Sequence, residues 1–264
     1  MQKTESPRTR ELALVTGASM GLGEEYARQL AARGVDLVLT ARSTDRLNSV
    51  AQELRGAVQT HVFSCDLSAP GAAKQIVDFL ALENLQPNWL INNAGFGDAG
   101  AFEKLSPERV RDICMVNIVA LTELTSRLLP VLKAAPPATA RIINLSSVAG
   151  FQPVPYFNVY SASKAYVLSF SDALHEELKP QGIRVLCVCP GYTATNFAAN
   201  NGISKKHFSR TQSAAEVVRR SLIASDAGKS VLVTRSHAQV LAAKFAPRLL
   251  VRKLAASVAR TYTE

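Results

Sequence analysis

Leu12-Ala13-Leu14-Val15-Thr16-Gly17-Ala18-Ser19-Met20-Gly21-Leu22-Gly23 is the stretch that decides the fold. It opens as a β-prone apolar run, turns through three glycines, and passes into Glu24-Glu25-Tyr26-Ala27, the start of a helical period. Glycine permits the tight turn and lets a ligand approach without a Cβ in the way. The helix start offers free N–H groups and a positive dipole end. Strand, glycine turn and helix in that order predict a cradle for a pyrophosphate.

The same alternation continues in both directions from this turn. Strands are expected at Leu12–Thr16, Asp36–Thr40, Val58–Phe63, Trp89–Ile91, Arg141–Leu145, Arg184–Cys189 and Val231–Thr234. Helical periods fall near 22–33, 44–55, 71–84, 107–134, 157–179, 214–226 and 238–259. Strict alternation of this kind demands right-handed crossovers and a sheet covered on both faces. The expected fold is therefore α/β: a Rossmann-type doubly wound, mostly parallel seven-stranded sheet with helices on both faces. Residues 1–10 read as a flexible tail and 11–235 as a single dinucleotide-binding catalytic domain. Residues 236–264 read as a basic helical extension packed on or near it.

Composition narrows the function classes. The chain has 264 residues, 47% hydrophobic and 19% charged, too apolar for a disordered protein. No uncharged run reaches the roughly 20 residues that span a bilayer, and Met1–Arg10 lacks the apolar centre of a secretory leader. Cys65, Cys114, Cys187 and Cys189 show neither a disulfide framework nor zinc-site spacing, so reduced thiols, no metal centre and a cytoplasmic protein are expected.

The net charge of +9 is concentrated late. Seven basic residues and one acidic residue follow from Lys229 onward. Nucleic acid is not an expected partner, because no reading helix or aromatic platform accompanies that charge. Leu250, Leu254 and Val258 recur at four-residue spacing beside Arg248, Arg252 and Lys253, with Pro247 at the expected helix start. This helix could pack on the body, join two subunits, or lie on a membrane surface as a peripheral contact.

The spacing T-G-x-x-x-G-x-G at Thr16–Gly23 resembles the short-chain dehydrogenase/reductase family. The resemblance continues through Asn92-Asn93-Ala94-Gly95, Asn117, Ser147, Tyr160-x-x-x-Lys164 and Pro190-Gly191. It implies an enzyme that moves hydride between a nicotinamide cofactor and a C=O or CH–OH group, working as a homodimer or homotetramer. By that resemblance Gly17, Ser19, Gly21, Leu22 and Gly23 would cradle the pyrophosphate. Asp66 and Leu67 would hold the adenine; Asn93, Ala94 and Gly95 would approach its ribose. Pro190, Gly191, Thr193 and Thr195 would hold the nicotinamide.

The second strand ends without a carboxylate to accept the ribose hydroxyls, while Arg42 and Arg46 stand nearby. Arginine suits a phosphate dianion, so NADP(H) is expected in preference to NAD(H). Tyr160 and Lys164 are a helical turn apart and share a face. An ammonium there, together with the positive nicotinamide of the oxidised cofactor, would favour the phenolate and tune the tyrosine as general acid/base. Lys164 would also bind the nicotinamide ribose, as the resemblance implies. Ser147 would stabilise the reacting oxygen, chosen over Ser146 by family spacing, and Asn117 would hold a proton-relay water.

The remaining aromatic and apolar residues suggest the substrate. Phe96, Val154, Phe157, Tyr192 and Phe197, with Phe151 and Phe208, make an apolar collection without paired arginines. A small hydrophobic ketone, aldehyde or secondary alcohol is the expected substrate. A 3-oxoacyl-thioester reductase and a cofactor-binding regulatory protein without turnover are the rival expectations.

Overall fold

The computed structural model describes residues 10–136, 138–203, 211–246, 251, 253, 255 and 256. Seven strands form one sheet: β1 (Leu12–Thr16), β2 (Asp36–Ala41), β3 (Thr60–Ser64), β4 (Trp89–Asn92), β5 (Arg141–Leu145), β6 (Arg184–Cys189) and, last in the chain, Val231–Val233. Their spatial order is β3-β2-β1-β4-β5-β6 followed by Val231–Val233, and every pair is parallel. The strand order reverses between β1 and β4, which opens a crevice at their carboxyl ends.

Strand alternation sends side chains to two cores. Ala13 and Val15 pack on one face, against α1 (Gly21–Ala31), α2 (Thr44–Glu53) and the helix Ala214–Asp226. Leu12 and Leu14 pack on the other, against α3 (Ala72–Leu82), α5 (Leu121–Ala134) and α6 (Asn158–Leu178), with α4 (Pro107–Cys114) leading into α5. All five β1 residues are buried, as a central parallel strand requires. Cys65, Cys187 and Cys189 are buried and Cys114 is partly buried; all four are free thiols.

Several boundaries differ from those expected. The third strand starts at Thr60 rather than Val58, because its register is set by pairing Leu37 with Thr60. A π-helical stretch, Met115–Ala120, joins α4 to α5 in one rod. By length and composition Pro107–Ala134 is apolar enough to cross a membrane. Its buried residues, including Val116, Leu124 and Leu128, are instead spent on the sheet.

After β6 the chain makes three short elements absent from the sequence-based expectation: β7 (Thr193–Ala194), α7 (Phe197–Asn200) and β8 (Gln212–Ser213). β7 and β8 pair as a separate two-stranded sheet. Next come α8 (Ala214–Asp226), β9 (Val231–Val233) and α9 (His237–Phe245). The continuous helix expected over 238–259 is therefore broken. It stops at Phe245 and bends at Ala246, where the following Pro247 disfavours helical backbone. Phe208, Pro247, Arg248, Leu250, Arg252, Leu254 and Val258 lie outside the described residues, as do Met1–Thr9.

Candidate active site

One cavity of about 1140 Å³ runs along the carboxyl ends of the strands, from the first glycine turn to the segment after β6. At one end Gly17 and Gly21 adopt positive φ, +66° and +62°, conformations that glycine takes without strain. α1 starts at Gly21 behind Met20, whose side chain makes no capping bond, so the first-turn N–H groups are left for an anion. Gly17, Ser19, Gly21 and Leu22 line this end.

Gly23 does not line it. A Cβ there would stand 2.2 Å from the Gly17 carbonyl oxygen and 2.5 Å from Asn93 Nδ2, so this glycine lets helix and turn pack closely. Asn93 Nδ2 itself donates to the carbonyls of Thr16 at 2.9 Å and Gly17 at 3.2 Å. Thr16 Oγ1 accepts from the N–H groups of Asn93 and Ala94, both at 3.0 Å. Asn93 and Ala94 thus tie β4 to the turn, and with Gly95 they line the cavity.

Arg42 and Arg46 are exposed at the rim beside Asp66 and Leu67. Burial raises the Asp66 carboxyl, but two hydrogen bonds from Ser68 and the charge of Arg42 outweigh it, leaving the group below its ordinary range. Two cations at a cavity edge and a glycine turn that a Cβ would fill form a donor set fitted to a phosphorylated dinucleotide.

Midway along the cavity stand Ser147, Tyr160 and Lys164. β5 delivers Ser147 at its carboxyl end, and the first two turns of α6 deliver the other two. Ser146 donates to the Lys164 carbonyl at 2.7 Å, while Ser147 hydrogen-bonds Tyr160. Lys164 Nζ donates to the Leu145 carbonyl at 2.7 Å and lies 5.6 Å from the Tyr160 ring centroid. Burial lowers Lys164 to about 8.

Burial also pushes Tyr160 up to about 12, against the pull of the Ser147 bond. Among the protein's own groups, burial is the largest influence on this phenol. The tyrosine ring is enclosed between Phe157, at 4.4 Å between centroids, and Phe197, at 5.5 Å, and the ammonium is engaged by a carbonyl.

Asn117 lies behind the cavity wall. Its amide donates to the Phe96 carbonyl at 2.8 Å and Ser163 Oγ at 2.9 Å, and accepts from the Phe96 N–H at 3.0 Å. Its side chain thus pins the loop after β4.

The far end is apolar. Phe96, Val154, Phe157, Tyr192 and Phe197 line it as expected, whereas Phe151 packs in a separate cluster with Leu121 and Val167. Pro190, Gly191, Thr193 and Thr195 form the wall between the two ends. Ala243, Ala246, Val251 and Ala255 add a wall of small residues, so the late segment contributes directly to the cavity.

Residues that sequence reasoning missed include Arg109, which covers the Phe96 ring at 4.5 Å and pairs with Asp98 at 2.8 Å. Asn201 was missed too, although it accepts a buried bond from the Gly97 N–H of the loop after β4 and donates to the Phe197 carbonyl of its own segment. Neither stands out in its polar stretch of sequence, Pro107–Asp112 or Asn200–Gly202, so no local signal pointed to either.

A family model described as short chain dehydrogenase matches residues 11–206. The very-long-chain 3-oxoacyl-CoA reductase of Rattus norvegicus is 34% identical over 198 residues, 73% of this chain and 62% of that protein. The chain thus spans about three-fifths of the length of that relative. A short-chain dehydrogenase from Sphingobium yanoikuyae, solved in complex with NADPH, is 34% identical with a TM-score of 0.80 over 86% of this chain and 89% of that one. A bulky-bulky ketone specific alcohol dehydrogenase from Comamonas testosteroni is 31% identical with a TM-score of 0.76, over 86% and 87%.

Proposed function

The chain belongs to the short-chain dehydrogenase/reductase family, as an oxidoreductase that takes a nicotinamide cofactor; on that premise, we propose that it is an NADP(H)-dependent enzyme interconverting a hydrophobic ketone or aldehyde and its alcohol. The observation that carries this reading is Tyr160. It sits buried between two phenylalanine rings at the junction of the glycine cradle and an apolar cavity, in contact with Ser147.

When bound, the cofactor supplies or accepts hydride at its nicotinamide. Gly17, Ser19, Gly21 and Leu22 hold its pyrophosphate, and Arg42 and Arg46 its 2′-phosphate. The Tyr160 hydroxyl gives a proton to the carbonyl oxygen in reduction and takes one back in oxidation. Its raised pKa keeps it a donor across the neutral range, which suits reduction. Ser147 Oγ holds the substrate oxygen on which charge develops. Lys164, charged below about pH 8, binds the ribose hydroxyls and favours the transient phenolate. Asn117 fixes Phe96, and Phe157 and Phe197 exclude water from the reacting carbonyl.

A second reading, reduction of a 3-oxoacyl thioester, is supported by likeness to the 3-oxoacyl-CoA reductases and by the size of the cavity. A substrate panel separates them. The purified chain, given NADPH, is offered bulky aryl-alkyl ketones, small polar sugars and long-chain 3-oxoacyl thioesters, with Tyr160→Phe as the control. Turnover of the bulky ketones, lost in the control, supports the first reading. Turnover confined to thioesters replaces it with the second, and turnover confined to sugars sinks both.

A further inference from the structure

We propose that Asn201 is a positioning residue that sets the aperture of the substrate cavity, an inference resting on the oxidoreductase reading above. The residue follows directly after α7 and is only 2% exposed. Its Oδ1 accepts from the Gly97 N–H at 2.6 Å, and its Nδ2 donates to the Phe197 carbonyl at 2.5 Å. Its own carbonyl accepts from the Ala99 N–H at 3.1 Å. One residue thereby fastens the segment after β6 to the loop after β4, across 104 positions of sequence.

Both ends of this fastening press on the same ring. Gly97 has no room for a side chain: a Cβ would stand 2.6 Å from the Phe157 ring and 2.9 Å from the Tyr160 ring. Its main chain is thus a wall against which Phe157 and Tyr160 rest. At the other end Phe197 approaches Tyr160 at 5.5 Å between centroids. Asn201 therefore fixes the distance between the two walls that enclose Tyr160, and among the described residues its side-chain bonds run to those walls. Neither bond reaches a strand of the central sheet or the glycine cradle. A link between this segment and the cradle belongs to its neighbour, Asn200, whose Nδ2 lies 3.6 Å from Met20 Sδ.

The chemistry predicts a separable effect. Removing a buried amide leaves the Gly97 N–H without its partner and frees the walls to part, while the cofactor contacts persist. A bulky carbonyl, which needs both walls, should suffer more than a small one.

Asn201→Ala and Asn201→Asp in the full chain test this. The aspartate keeps an acceptor for the Gly97 N–H and removes the donor to Phe197. In the alanine variant KM for a bulky ketone should rise about tenfold, with a smaller fall in kcat and NADPH affinity within about threefold of wild type. Amide hydrogen exchange in residues 96–100 should speed up in the alanine variant and stay near wild type in the aspartate variant. An unchanged KM together with unchanged exchange at Gly97 overturns the proposal. So does exchange accelerated throughout the central sheet, since that would make Asn201 a support of the whole fold. If wild-type protein reduces no carbonyl, the functional reading fails, and the Gly97 exchange comparison still decides whether Asn201 clamps the two walls.

Discussion

Lys164 and Tyr160 sit one helical turn apart, yet burial drives their proton affinities apart, Lys164 down to about 8 and Tyr160 up to about 12. The sign of the pH dependence follows. Below about pH 8 the lysine is charged and the tyrosine protonated, which is the state that reduces. Above it the ammonium is lost while the phenol remains. The value of kcat/KM for NADPH, which reports groups of the free enzyme, should be level below about pH 8 and decline above it. A level profile up to pH 10 would show that the lysine keeps its proton or is not needed charged.

Arg42 poses a similar question about charge. Its guanidinium is exposed at the cavity rim, free to swing onto a phosphate. Arg42→Ala should weaken NADPH binding by about 2 kcal/mol, roughly thirtyfold, and leave NADH within about twofold. Equal loss for both cofactors, measured by fluorescence titration, would assign Arg42 to another task.

At the scale of elements, the glycine turn is where the fold tolerates least. Gly23→Ala would drive a Cβ into the Gly17 carbonyl and the Asn93 amide, neither of which can retreat without moving β1 or β4. The variant should lose about 2 kcal/mol, and its melting temperature should fall by roughly 4–8 °C. NADPH binding should fall with it. A variant that melts at the wild-type temperature would mean the turn relaxes freely.

What was legible in the sequence follows from periodicity. The seven strands, their order along the chain and the helices between them were readable because each buries a regular pattern of apolar side chains. So were the residues of the cradle and the Ser147, Tyr160 and Lys164 group, which carry spaced motifs. Gly23 and Asn117 stood in those motifs too, but only the structure shows that one packs and the other pins. β7, β8 and α7 escaped notice because elements of two to four residues have no period to detect; their form comes from tertiary contacts. The bend at Ala246 sits where Pro247 reads as a helix start, although the apolar period suggests one helix over 238–259.

Across the whole molecule, the cavity is assembled from distant parts of the chain. The cradle belongs to the first crossover, the proton-transfer group to β5 and α6, and the apolar end to the loops after β4, β5 and β6. α9 and its continuation close the apolar end with Ala243, Ala246, Val251 and Ala255. Small side chains there leave the volume that a bulky substrate needs. Ala243→Trp should therefore raise KM for bulky ketones by about tenfold and leave small ones and NADPH within about threefold. Steady-state kinetics with a size-graded ketone series checks this, and a uniform change across the series would refute it.

The split of the cavity has an evolutionary reading. Substrate walls drawn chiefly from the loop after β4, the loop after β5 and the chain beyond β6 can drift or be exchanged between relatives without disturbing the glycine turn or the arginines at its rim. Selection can then change what is reduced while inheriting unchanged the means of reducing it.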